Sequence, residues 1–149
     1  MSPLIQKQEL IQLSQLEELH TTGAGYDILR YIGLPEILGA ESHTLLYFMG
    51  RNLARKFQIE QLEDIYYLFE KFGWGKLELV KEKKREMTFH LLADAVVRRL
   101  SSTSFQAEFR MEAGFLAEAL HQLKDTECEC IEEINKKIHQ VEFSVVSAK

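Results

Sequence analysis

Two thiols one residue apart, Cys128 and Cys130, are the plainest candidates for chemistry in this chain. Residues two apart in a strand share a face, so the pair offers half of a zinc site, which takes about four ligands. The histidines, His20, His43, His90, His121 and His139, show no spacing that would supply the other half. As small buried hydrophobes the cysteines are fully explained, and neither a metal nor a cofactor is expected. A second candidate is Glu112, which falls inside the apolar arc of a helical stretch, beside Ala119 and Leu123. A buried carboxylate is costly unless paired, so it calls for an arginine. Arg30, Arg51 and Arg110 are the choices, with Arg51 first, and the expected role is a structural ion pair rather than catalysis.

Other arrangements carry less. The cluster Lys81–Arg85 reads as a solvated hairpin tip, interrupted by Glu82 and Glu86. Gly23-Ala24-Gly25 is too short for a dinucleotide signature, and no strand precedes it. There is no P-loop, nucleophile elbow or His-containing metal motif. The expectation is therefore a protein without catalytic residues, and not an enzyme.

The element that must hold Glu112 is the stretch Phe105–Leu123, FQAEFRMEAGFLAEALHQL. At about 100° per residue it lines up Phe109, Ala113, Leu116, Ala117 and Leu120. Met111 and Phe115 lie on another side, near Gly114. Glycine inside a helix costs about 1 kcal/mol against alanine, so Gly114 suggests close approach of something else. Met111, Gly114, Phe115 and Tyr26 are the candidate ligand contacts.

Before this helix, Pro3–His20 reads as helical without a single apolar face, and Thr21–Gly25 breaks it. A short amphipathic piece carries Ile28, Leu29 and Ile32. Helices follow over 42–57, with Leu45, Leu46, Met49, Leu53 and Phe57 inward and Arg51 and Arg55 outward, and over 60–72, with Leu62, Ile65, Phe69 and Phe72 inward. Gly73 ends the second as a glycine past a helix end does. The period then changes to two. Leu77 and Leu79 face one way, as do Met87, Phe89 and Leu91, across a charged connection. Ala93–Leu100 returns to helix, with Val96, Val97 and Leu100 inward and Arg98 and Arg99 outward. After the central helix, 126–132 and 139–145 alternate again, Val141, Phe143 and Val145 inward. Such order predicts an α+β domain, a four-stranded antiparallel sheet with helices gathered on one face.

A length of 149 residues allows one domain with a real core, and net charge -5 argues against a phosphate-backbone binder. No apolar run approaches the roughly 20 residues of a membrane span, and Met1–Leu10 lacks the apolar core of a signal peptide. The reading is a cytoplasmic protein with no nucleic-acid partner: an N-terminal helix over 1–22 assigned to a dimer interface, a single domain over 23–146, and a tail over 147–149.

The segment FRMEAGFLAEAL, Phe109–Leu120, followed by two strands ending in VEFSV, resembles the C-terminal half of vinyl-4-reductase-like small-molecule-binding domains. Their fold is shared with NO-signalling ligand-binding domains and Golgi-transport (TRAPP) subunits. As a whole the chain is similar to the uncharacterised YslB-like family of Bacillus, through Gly25–Arg30, Leu34–Gly39, Leu45–Arg51, Gly73-Trp74-Gly75 and Phe109–Glu118. The resemblance implies that fold, an apolar cavity enclosed by helices, and a homodimer. It implies no reaction. In the wider group a cysteine often stands two residues before the last strand's phenylalanine; here that position is Val141, ahead of Phe143. Two functions are thus in view: a non-enzymatic module binding a small apolar ligand between helices and sheet, and a homodimeric scaffold for a protein partner.

Overall fold

The computed structural model describes residues 10, 12–16, 24–92, 94–101 and 106–148. Within them lie α1 (Leu13–Leu16), α2 (Ala24–Ile28), a π-turn (Leu29–Gly33), α3 (Leu34–Leu38) and a 3-10 turn (Gly39–Glu41). Then come α4 (Ser42–Ala54), α5 (Leu62–Lys71), β1 (Lys76–Glu82), β2 (Glu86–Leu92) and α6 (Asp94–Ser101). The chain closes with α7 (Arg110–Lys124), β3 (Cys128–Asn135) and β4 (Gln140–Ser147). The expected N-terminal helix over 1–22 falls mostly outside the described residues, as does Phe105. Ser147, the first residue of the expected tail over 147–149, is the last of β4.

The strands form one antiparallel sheet in the order β1-β2-β4-β3. The two hairpins of the chain therefore meet through their second strands, β2 beside β4, in the register Phe89↔Phe143. Leu77, Met87, Phe89, Leu91, Cys128, Cys130, Val141, Phe143 and Val145 are all buried, giving one apolar face. The predicted alternation holds through both hairpins except at Thr88, which is buried, and at Val80, where a bulge between Leu79 and Lys81 shifts the register.

On that face lies α7, in which Met111 to Leu120 are buried without interruption. One side of α7 packs on the sheet and the other against α4. The two-sided apolar pattern is thus satisfied within the chain, by α4 and by the aromatic residues around Phe115. The α4–α7 crossing is unusually close. A Cβ built on Gly114 would meet the Tyr47 carbonyl, and one built on Gly50 would meet the Met111 carbonyl. Two glycines let the backbones touch.

This crossing rotates α4 away from its expected face. Leu46, Tyr47, Gly50, Arg51 and Ala54 are buried, while Leu45 and Met49 are exposed. Arg51 points inward although its polarity suggested solvent, because its charge is met inside. Arg99 departs in the same way: it is buried on α6, whereas Val97 is exposed. The inward face of α5 is core as expected, with Ile65, Leu68 and Phe69 fully buried and Tyr66 and Tyr67 partly so. The helix begins later than its polar pattern suggests, because the Asp64 carboxylate accepts the N–H groups of Glu60 (2.9 Å) and Gln61 (3.2 Å) and caps it there.

Candidate functional site

Glu112 is fully buried on the first turn of α7, and its partner is Arg30. Nη2 of Arg30 donates to Glu112 Oε1 at 2.7 Å and Nη1 donates to Oε2 at 3.2 Å. The other edge of the guanidinium grips Glu108, from Nε at 2.8 Å and Nη2 at 3.0 Å. Nη1 also donates to the Tyr26 hydroxyl, which accepts the Trp74 indole N–H at 2.9 Å. A guanidinium has five N–H donors, and every one of them is engaged. No donor is left for a ligand, so this cluster ties the π-turn, α7 and the Gly73–Gly75 turn together. Burial lifts the Glu112 carboxyl above its ordinary range, against the pull of Arg30. Burial likewise raises the Tyr26 hydroxyl, with Glu112 adding to the shift. Asp27 extends the network, accepting from Arg99 Nε at 3.1 Å.

Arg51, the first-choice partner of Glu112, faces elsewhere. It pairs with Glu118 and Glu129, both at 3.1 Å. One turn of helix before it, Tyr47 accepts the Cys130 N–H at 3.1 Å and donates to Glu129. Arg51 also donates to the Cys128 carbonyl at 3.1 Å. The reason for the mistaken choice is positional. Gly50 and Gly114 place α4 on the side of α7 that carries Glu118, while Glu112 faces the π-turn. Burial and Glu129 together push the Tyr47 hydroxyl up to about 12. The third arginine considered, Arg110, bonds Glu132 at 2.7 Å instead.

The expected ligand contacts are not brought together around a space. Phe115 is ringed by Phe57, Phe69, Phe72 and Trp74, with centroids 5.5 to 6.4 Å away. Gly114 makes room for α4, Met111 is buried at the same crossing, and Tyr26 is taken up by the Arg30 network. An open space lies at the start of α4. There a groove of about 610 Å³ runs between the π-turn, the start of α4, the segment 106–110 and the end of β3. Tyr31, Ile32, Pro35, Leu46, Phe109 and Ile134 give it apolar walls. The charges on it are matched in pairs, Glu108 to Arg30 and Glu132 to Arg110.

Residues 23–146 match the family described as "Protein of unknown function (DUF2507)". The chain belongs to this family. It is 34% identical over 133 residues to the "Uncharacterized protein YslB" of Bacillus subtilis, covering 89% of each chain. A more distant relative, "Uncharacterized protein MJ1642" of Methanocaldococcus jannaschii, is 22% identical over 128 residues, 83% of this chain and 78% of that one. Among solved structures, a vinyl-4-reductase family protein from M. jannaschii superposes with a TM-score of 0.66 at 16% identity. The superposition takes in 91% of this chain and 88% of that one, and it shows the same α+β fold.

Among the described residues of this family member, no group of three His, Cys, Asp or Glu is placed to hold a metal ion. Cys128 and Cys130 are buried free thiols whose pKa values burial raises. No described helix is long and apolar enough to cross a membrane. The groove was not legible in the sequence, because its walls come from four separate stretches. Trp74 carries a signal of its own in the sequence: a buried indole N–H needs an acceptor, and Tyr26 supplies it.

Proposed function

We propose that this chain is a non-enzymatic cytoplasmic module that binds a small, largely apolar molecule in the groove beside Tyr31, Leu46 and Ile134. The observation that carries this is the groove itself. Its volume of about 610 Å³ falls in the roughly 300–1,000 Å³ range of small-molecule sites. Its charged side chains are spent on one another, so an apolar body meets no unpaired charge. The fold shared with a vinyl-4-reductase family protein supports a ligand-binding-like domain. Native mass spectrometry of protein from its own source tests the reading. A bound small molecule is expected in the wild type and absent from Ile32→Trp, whose indole would fill the groove mouth. Bare protein from the native source would count against the proposal.

A second reading, a homodimeric scaffold for a protein partner, is favoured by a separate observation. Ile28, Leu29, Ile32, Ile37, Phe48 and Met49 are exposed along residues 28–49, Ile37 at 80%. Monomers seldom leave that much apolar surface in water, and a two-fold contact would cover it on both copies. Met111 and Phe115, the second apolar side of α7, are buried within the chain and contribute nothing to it. Sedimentation at rising concentration should give a dimer that Phe48→Glu dissociates. A monomer at every concentration would remove this reading.

A further inference from the structure

β3 is an edge strand, paired with β4 on one side only. Its pairing is a regular antiparallel ladder from Cys128↔Ser147 to Asn135↔Gln140. In such a ladder the backbone groups of alternate residues point away from the partner. Two hydrogen bonds say which residues these are. The Cys130 N–H is given to Tyr47 on α4, and the Cys128 carbonyl accepts from Arg51. The first half of the edge is thus covered by α4, which removes the hazard of an open strand. By the same alternation, the N–H and C=O of Glu132 and Ile134 also point outward. Here α4 no longer covers them, and no described residue takes their hydrogen bonds. These two residues are also the ones whose side chains line the groove.

A strand edge that no described residue bonds, beside an apolar groove, is the arrangement by which domains add a peptide as an extra strand. We propose that the Glu132–Ile134 edge of β3 takes an extended peptide whose residues alternate apolar and basic. Side chains opposite Glu132 and Ile134 would share their face of the sheet and enter the groove, against Ile32, Pro35 and Phe109. The intervening side chains would stand on the opposite face, beside Glu133 and Ile131. Of the exposed positions on this strand, Ile131 is apolar, Glu129 is already paired with Arg51, and Glu133 presents a carboxylate with no ion pair among the described residues. Glu132 is neutralised by Arg110. An opposite charge at the outward positions is what cross-strand pairing rewards. The inference rests on the groove being open to a ligand, and it adds a macromolecular occupant identified by backbone geometry.

The test uses the full chain and a short capped peptide of alternating valine and lysine, followed by fluorescence anisotropy. Saturable binding is expected, with a loss of about ten-fold or more when the outward-bonding amides of the peptide are N-methylated. Ile134→Pro should abolish binding. It removes an N–H that β4 does not use, and edge positions tolerate proline. Glu133→Lys, on an exposed position, should weaken the valine–lysine peptide and favour a valine–glutamate one. That exchange keeps the test decisive should Ile134→Pro unfold the protein. Equal binding of the methylated peptide, indifference to Glu133→Lys, or no saturation at about 1 mM peptide would overturn the proposal. Ile32→Trp blocks the groove for either occupant, whereas Glu133→Lys leaves a small molecule unaffected, so the two readings fail separately.

Discussion

Replacing Gly114 by alanine sets two physical effects of opposite sign against each other. On helix propensity alone the substitution should help, since alanine is favoured over glycine by about 1 kcal/mol in a helix interior. The crossing with α4 says otherwise. A Cβ on Gly114 would sit 2.8 Å from the Tyr47 carbonyl carbon, nearer still to its oxygen, and 3.2 Å from the Arg51 nitrogen. These are backbone atoms of a helix, which cannot rotate aside as a side chain can. The two helices would have to separate until the contacts reach the 3.4 Å of ordinary packing. Separation would also loosen the Tyr47 and Arg51 bonds to β3. Overpacking costs typically 1–3 kcal/mol, and a clash with helix backbone belongs at the upper end, so a net loss of about 2 kcal/mol is expected once the propensity gain of about 1 kcal/mol is subtracted. Gly50→Ala should behave alike, its Cβ lying 2.8 Å from the Phe115 nitrogen. Gly25→Ala is the control, because nothing lies within 4 Å of its Cβ, and it should be neutral or stabilising. Urea unfolding followed by circular dichroism reads all three. If Gly114→Ala proved as stable as the wild type, Gly114 would be reserving space for something other than α4.

Removing one side of the buried ion pair, as Glu112→Leu, should cost about 3–5 kcal/mol in urea unfolding, while the double variant with Arg30→Met should recover much of the loss. Failure of the pair to couple would show that the two side chains act independently. Leu116→Ala, at a fully buried position, should cost about 2–5 kcal/mol by the same assay; a loss below about 1 kcal/mol would contradict the packing of α7. Tyr47 should ionise near pH 12 by ultraviolet titration, against 10 for a free tyrosine. Because its folded pKa lies above the unfolded one, its contribution to stability is complete below pH 10 and disappears as pH climbs through about 12; Tyr47→Phe should flatten that alkaline decline. Cys128 and Cys130, buried with raised pKa values, should react with a thiol reagent only at the rate of unfolding, and fast labelling of the native protein would contradict their burial.

The sheet was legible because a period of two survives any packing partner: Met87, Phe89 and Leu91, or Val141, Phe143 and Val145, have one face to bury and did so. The helices were less so. A helix buried on two sides carries apolar residues all round, so its pattern no longer says which neighbour lies where. On α4 the pattern was misleading outright. Leu45 and Met49 are as apolar as Leu46, and only the glycine at position 50 indicates which way the helix turns. Polarity misled at Arg51 and Arg99 for a related reason. A charged residue is assigned to solvent by default, and nothing local reveals a carboxylate waiting 70 or so positions away. Glu112 was different because its neighbours on the helix were already apolar, which left pairing as the one economical outcome. Which arginine answered it depended on the π-turn, whose extra residue has no sequence signal here.

At Gly114 the close approach that the sequence suggests is made by a helix. The glycine does mean close approach, and close approach by a ligand and by a helix leave the same mark on a single sequence. Gly50 separates them. Two glycines on facing helices, each with its missing Cβ aimed at the other's backbone, are what a crossing requires, whereas a ligand needs only one. Once the crossing is accounted for, α4 is held against the first half of the β3 edge, and the remaining half is left beside the groove. The proposed binding surface therefore follows from where α4 begins rather than from any residue under α7. It is built of ordinary side chains, Ile32, Pro35, Leu46 and Ile134 among them, and of backbone groups that every residue carries. A site of that kind leaves no motif, and only the register of the sheet exposes it.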